Sequence, residues 1–168
     1  CVQMSLPTAS VETYTRFSRS IREIGMQRFA DTGYDRIVFT NGCFDVLHRG
    51  HLEVLNHARQ VAGARGAVVV GLNSDDGIRR IKGPERPILD ETTRALVLIH
   101  LRMVDHVITF DEDTPYELIK AIQPHVIVKG GDYDPNKVVG RDLALVVTCP
   151  YLEGNSTTNI VEKIRGNS

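Results

Sequence analysis

The chain has 168 residues, 42% of them hydrophobic, and a formal net charge of −1. That length and apolar content suit one domain with a sizeable core, and a charge so near zero excludes the global basic field of a nucleic-acid binder. The longest apolar runs, such as Ala67 to Leu72, are too short to span a bilayer.

Residues 1–9 are polar. From Ser10 to Ala30, Val11, Tyr14, Phe17, Ile21, Ile24 and Phe29 recur at roughly helical spacing. They predict an extra N-terminal helix that packs or pairs, in an extension covering residues 1–35. Asp31 to Asp35 reads as a turn, and Arg36 to Thr40 as the first strand. A crossover helix follows over Gly50 to Ala62 and ends at Gly63 to Gly66. Ala67 to Leu72 is continuously apolar, as expected of a parallel strand covered on both faces. Asn73-Ser74-Asp75-Asp76 ends that strand and can cap a short helical turn.

Arg79 to Ile88 is basic, punctuated by glycine and proline, and not periodic. It predicts a mobile loop carrying Arg79, Arg80, Lys82 and Arg86. Thr92 to Met103 predicts a helix with Leu96, Val97, Ile99 and Leu101 toward the core. His106 to Phe110 is a third strand. Thr114 and Pro115 open a helix as N-cap and first residue, running to Ile122. Val126 to Val128 is a fourth strand, with Lys129-Gly130-Gly131-Asp132-Tyr133 at its carboxyl end. Leu143 to Thr148 is a fifth strand, and Asn159 to Arg165 a final helix behind Gly154 to Thr158.

Strands alternating with helices predict an α/β domain over residues 36–168, a Rossmann-like, doubly wound, five-stranded parallel sheet. Ligands of such sheets bind off the carboxyl ends of the strands. Asn41 to His51, Asn73, Lys129 to Asp132 and Ser156 to Thr158 all fall there by sequence order. Cys1, Cys43 and Cys149 are an odd, scattered set. They fit a reducing cytoplasm better than a disulfide framework. No Cys-x-x-Cys cluster suggests zinc, no secretory leader is visible, and a start at Cys1 suggests a trimmed chain or part of a longer polypeptide.

The chemistry concentrates between Val38 and Leu52. A strand breaks at Asn41-Gly42, and a helix begins around His48-Arg49-Gly50-His51. Free amides at a helix start, with the helix dipole, favour a phosphate there. Two histidines three apart can reach one group from one face, and imidazoles can donate to phosphoryl oxygens as charge builds.

Gly42-Cys43-Phe44-Asp45 followed by His48-Arg49-Gly50-His51 resembles the signature of the nucleotidyltransferase superfamily that includes the cytidylyltransferases. Within it, Lys82-Gly83 through Arg86-Pro87-Ile88, Glu112-Asp113-Thr114-Pro115, Val128 to Tyr133, and Ser156 to Ile160 with Lys163-Ile164 resemble D-glycero-β-D-manno-heptose 1-phosphate adenylyltransferase, the adenylyltransferase domain of ADP-heptose synthesis. The resemblance covers about residues 36–165. Between Gly140 and Ser156 the chain is several residues shorter than that family's pattern, which bears on acceptor and dimer contacts. In many members this domain is fused after a sugar kinase, so the chain is expected to stand alone or to be part of such a protein.

The resemblance implies attack of a sugar 1-phosphate oxygen on the α-phosphorus of ATP, with release of pyrophosphate. His48, His51 and Lys82 are the expected catalytic residues. Asn41, Gly42, Cys43, Phe44, Gly50, Lys129, Gly130, Asp132, Ser156, Thr157 and Thr158 join the two histidines around the nucleotide. Asp45, Asn73, Lys82, Arg86 and Arg94 are assigned to the acceptor side, although Asp45 could orient a histidine or hold the turn and Arg94 could be a structural ion pair. Cys43 reads as a small packed residue rather than a nucleophile. Mg²⁺ is expected with ATP, without a dedicated carboxylate site, and a cytoplasmic homodimer is the expected assembly, without membrane or nucleic-acid partners. Two alternatives stay open: a cytidylyltransferase using CTP and a phospho-alcohol, and a non-catalytic nucleotide-binding regulator.

Overall fold

The protein is described here from a computed structural model that covers residues 33–131, 134–150 and 156–166. The predicted helix between Ser10 and Ala30 lies outside these residues, as do Asp132 and Tyr133. The elements in chain order are β1 (Ile37–Gly42), α1 (Arg49–Ala62), β2 (Ala67–Asn73), α2 (Asp75–Lys82), α3 (Glu91–Ile99), β3 (His106–Phe110), α4 (Tyr116–Ile122), β4 (Val126–Gly130), a 3-10 turn (Pro135–Lys137), β5 (Leu145–Cys149) and α5 (Thr157–Ile164). The five strands form one sheet in the order β3-β2-β1-β4-β5, and every neighbouring pair is parallel.

Alternation along the strands divides the core. Val38, Val68, Val70 and Leu72 pack on Leu55, Ala58 and Ala62 of α1 and on Ala95 and Leu98 of α3. Ile37, Phe39, Val69 and Ile127 face the other way, onto Leu118, Ile119 and Ile122 of α4. Burying both faces is what near-continuous apolar strands require. The winding reverses between β1, which leads outward to β2 and β3, and β4. That reversal opens a crevice at the carboxyl ends of β1 and β4, where ligands of open α/β sheets bind.

Two expectations are corrected. Arg79, Arg80 and Lys82 stand on a helix, not a loop. The Ser74 side chain accepts from Gly77 N at 2.9 Å, Asp75 and Asp76 occupy the first turn, and the three cations sit in the last. Cap and dipole thus specify α2, while Ile78 is its sole buried apolar side chain, so no apolar stripe marks it in the sequence. Gly83 ends it with φ 92° and its N–H on Arg79 O. In α3, Leu96 and Val97 are exposed; Arg94, Ala95 and Leu98 turn inward instead.

Element ends shift elsewhere by a few residues. α3 stops at Ile99, β5 starts at Leu145, α5 starts at Thr157, and Pro115 takes the N-cap position of α4. At the opposite end of the sheet, His125 Nδ1 accepts the N–H of Ile37 at 3.0 Å. Arg59 pairs with Asp105, whose carboxylate also accepts from Val68 N at 2.7 Å. No helix among the described residues is long and apolar enough to cross a membrane.

Candidate active site

The site begins where β1 ends. Between Gly42 and His48 the chain makes a tight turn with Phe44 at φ 46° and Val46 at φ 48°. Left-handed backbone is uncommon for an aromatic and a genuine outlier for a β-branched residue, and such strain costs on the order of 1–3 kcal/mol per residue. It persists because the turn is fastened from several sides. Phe44 is buried in the core. Cys43 O accepts from Arg94 Nη1 at 2.7 Å, and Asp45 O accepts from Thr157 Oγ1 at 2.6 Å.

The turn delivers His48 to the N-cap of α1 with extended backbone and no side-chain cap bond. Its imidazole is therefore left for the site rather than used on the helix. His51, in the first turn, stacks on it with ring centroids 3.8 Å apart, and Phe44 closes on His51 at 5.1 Å. Among the described residues neither His48 Nδ1 nor His51 Nδ1 has a hydrogen-bond partner, although both atoms are buried. Buried polar atoms without partners are rare and point to a ligand.

Burial, followed by the charge of Lys82, holds the His48 imidazole below its usual range. Burial pushes His51 down to about 4, helped by His48 and Lys82 and opposed by Asp45. Both rings are neutral near pH 7, so each carries one N–H and one acceptor nitrogen. Lys82, whose charge acts on both rings, stands at the exposed end of α2. Gly50 lies between the two histidines in the first turn of α1.

Across the crevice, Lys129 at the end of β4 donates to Asn41 Oδ1 at 2.6 Å. Burial pushes its ammonium down to about 8, still protonated at neutral pH and ready to answer an anion. Gly130 follows it, and a Cβ there would collide with the Val54 side chain of α1. A Cβ at Gly42 would press on the Phe44 ring at 3.3 Å. The start of α5 faces the same turn: Ser156 caps the helix by accepting from Asn159 N at 3.1 Å, Thr157 is tied to Asp45 O, and Thr158 is exposed.

The structure gives several acceptor-side candidates internal work. Asp45 is buried and accepts from Ile88 N at 2.9 Å, Leu89 N at 3.0 Å and Arg86 Nη1 at 3.3 Å. It holds the turn, the second of its two sequence readings. For Arg94 too the structure favours the second of its readings, an ion pair within the fold. Its side chain is fully buried and spends its donors on Leu89 O, Cys43 O, Asn73 O and Asp75 Oδ1. Asn73 is buried at the end of β2. Arg79 pairs with Asp76, and Arg80 with Asp111 and Asp113. Asp75 was missed as a contributor; its place directly after the Ser74 cap was the available signal.

The comparisons with known proteins bear on this geometry. The chain is 54% identical over 136 residues to "Bifunctional protein HldE" of Helicobacter hepaticus, a match spanning 80% of the chain and 28% of that protein. Against the protein of the same name from a Nitratiruptor species, identity is 43% over an alignment of 172 residues, spanning 94% and 37%. The chain thus spans 28% and 37% of the length of these two curated relatives. Among solved structures, the lipopolysaccharide core biosynthesis protein of Thermoplasma volcanium matches with 25% identity and a TM-score of 0.57, over 70% of this chain and 96% of that one. The family model described as cytidylyltransferase-like matches residues 39–163, from the middle of β1 to the end of α5. The stacked histidine pair, the fastened turn and the carboxyl ends of β1 and β4 all lie within that match, and the chain belongs to the cytidylyltransferase-like family.

Proposed function

We propose that this chain transfers the adenylyl group of ATP to a heptose 1-phosphate, giving ADP-heptose and pyrophosphate. The observation that carries the reading is the stacked His48–His51 pair at the switch point, with both Nδ1 atoms buried and unpartnered among the described residues. The sequence resemblance to heptose 1-phosphate adenylyltransferases and the likeness to the bifunctional HldE proteins support ATP as nucleotide and heptose 1-phosphate as acceptor.

The acceptor phosphate is already an anion, so the reaction needs no strong general base. The chain's task is to align that oxygen with the α-phosphorus and to offset charge on the transferring group. His48 and His51, neutral at pH 7, each keep one N–H, and that N–H donates to a phosphoryl oxygen. Lys82 answers the β-phosphate or the acceptor phosphate. Lys129, with Asn41, Gly42 and the turn at Cys43–Phe44, borders the nucleotide, and the start of α5 at Ser156, Thr157 and Thr158 meets the outer phosphates. Asp132 belongs to this set by sequence alone.

Mg²⁺ enters with the triphosphate in this reading. Among the described residues no three His, Cys, Asp or Glu side chains are grouped to hold a metal ion, so the phosphates would supply its ligands. A companion sugar kinase, a homodimer and a cytoplasmic setting belong to the same proposal. The word "bifunctional" in the relatives' name, and the fraction of their length that this chain spans, support the companion activity.

The test is pyrophosphate release by the purified chain with Mg²⁺, offering ATP or CTP against heptose 1-phosphate or glycerol 3-phosphate. Turnover confined to ATP with heptose 1-phosphate supports the proposal. Turnover with CTP and glycerol 3-phosphate replaces it with the cytidylyltransferase reading. ATP binding without turnover on any acceptor replaces it with the regulatory one.

A further inference from the structure

Arg94 is fully buried, and it binds both ends of the segment that carries Lys82. Its Nε donates to Leu89 O at 3.0 Å. Its Nη1 donates to Cys43 O at 2.7 Å and Asn73 O at 2.9 Å, and its Nη2 to Asp75 Oδ1 at 2.6 Å. These acceptors come from four segments: the strap 86–89, the turn after β1, the end of β2 and the first residue of α2. Lys82 is carried on the stretch from Asp75 to Leu89, and both ends of that stretch are fastened to the same guanidinium. The strap is gripped from its other side by Asp45, through the N–H groups of Ile88 and Leu89. Asp45 also belongs to the turn that delivers the histidines.

We propose that Arg94 is a positioning residue: it locks the strap and the turn after β1 to one another, and so holds Lys82 beside His48 and His51. The proposal rests on the roles given above to those three side chains. The guanidinium suits the task because its donors lie in a rigid planar fork, whereas an ammonium offers a point charge on a flexible stem. Lys82 sits on an exposed helix end, and among the described residues its ammonium has no ion-pair partner, so its place relative to the histidines is set by what holds the two ends of its segment. The charge of Lys82 acts on both imidazoles and lowers them, in keeping with a position within electrostatic reach of the pair.

The test uses the whole chain and reads the histidine rings by NMR titration, alone and in a double-mutant cycle. Arg94→Lys keeps the buried charge but loses the fork. Lys82→Met removes the charge that the fork positions. Both single variants should raise the His48 and His51 titrations toward the ordinary range, and the double variant should raise them no further than Lys82→Met alone. A folded Arg94→Lys protein with wild-type titrations overturns the proposal. If that variant does not fold, Asp75→Ala decides. It removes one acceptor of Arg94 Nη2 at a side chain that is 25% exposed. A rise there that vanishes in the Lys82→Met background supports the proposal; titrations equal to wild type overturn it.

Kinetics adds a second readout. Displacing a positioned group by an ångström can cost about 10²-fold, so Arg94→Lys should lower kcat by that order with little change in KM for the nucleotide. A fall confined to KM overturns the proposal. If wild type shows no turnover but the titrations remain coupled, the positioning role stands and the adenylyl-transfer reading falls.

Discussion

Gly130 ends β4 next to Lys129, and the sequence assigns it to the nucleotide. The structure adds a packing demand that can be measured. A Cβ at this position would run into Cγ2 of Val54, while Val54 Cβ and Cγ1 would lie at ordinary contact distances of 3.6 and 3.8 Å. The conflict is therefore with one methyl group. Val54 could escape by turning χ1, but β-branched residues in a helix hold about 90% of one rotamer, so the escape costs roughly 1 kcal/mol. If the helix moves instead, overpacking costs up to about 3 kcal/mol.

Gly130→Ala should therefore destabilise the protein by about 1–3 kcal/mol. At about 2–4 °C per kcal/mol for a chain of this size, the melting temperature should fall by about 2–12 °C. The assay is thermal unfolding, followed by circular dichroism, of wild type, Gly130→Ala, Val54→Ala and the double variant. Val54→Ala removes the offending methyl, so the double variant should lose less than the sum of the single losses. A Gly130→Ala protein that melts with wild type, or strict additivity in the cycle, refutes the argument. Because α1 carries His48 and His51, the same variant should also lose turnover, and Val54→Ala should restore part of it.

Three further predictions follow from the site. His51→Ala should leave a folded protein whose turnover falls by about 10²–10³, the usual loss for one transition-state donor; pyrophosphate release near the wild-type rate would remove His51 from the mechanism. The same ring should also make stability depend on pH. Its pKa is about 4 when folded against 6.5 as a free side chain, so between those values the unfolded chain binds more protons, and stability is full above pH 6.5 and lost as pH falls toward 4. The loss is on the order of 3 kcal/mol, and urea titrations at pH 7 and pH 4.5 should show His51→Gln losing less than wild type; equal losses would contradict it. Thr157→Val removes the 2.6 Å bond to Asp45 O, and since no residue of α5 is buried, amide exchange in α5 should quicken and KM for ATP should rise. Unchanged exchange would show that the helix is held by other contacts.

The fold was legible because its signals are local and redundant. Ala67 to Leu72 is an unbroken apolar run, and it forms a central strand with every residue buried. The break expected at Asn41-Gly42 falls just after Gly42, where β1 ends, and the spacing of His48 and His51 puts both imidazoles at a helix start, where the structure stacks them. Where a signal was carried by polar residues, the sequence misled. α2 is specified by a cap and by charge order around one buried isoleucine, so a reading that looks for apolar periodicity finds a loop. Leu96 and Val97 appeared to point inward because apolar residues were counted as core; the inward position of that helix is taken by an arginine.

That arginine shows where sequence reasoning stops. Arg94 and Asp45 are charged residues in a segment dense with phosphate-binding signals, so assigning both to the substrate is the natural inference. What decides otherwise is the number of backbone groups that must be satisfied nearby. The turn after β1 leaves Cys43 O without a strand partner, β2 ends with Asn73 O, and the strap presents Leu89 O and the amides of Ile88 and Leu89. Unpaired buried groups of this kind cost about 1–3 kcal/mol each, and only a multi-donor cation and a multi-acceptor anion can meet so many at once. None of those orphaned groups appears in the one-letter code, because each arises from where the chain turns. The cation proposed for function and the structural cation differ by this accounting: Lys82 stands at an exposed helix end, whereas Arg94 spends four hydrogen bonds inside the protein.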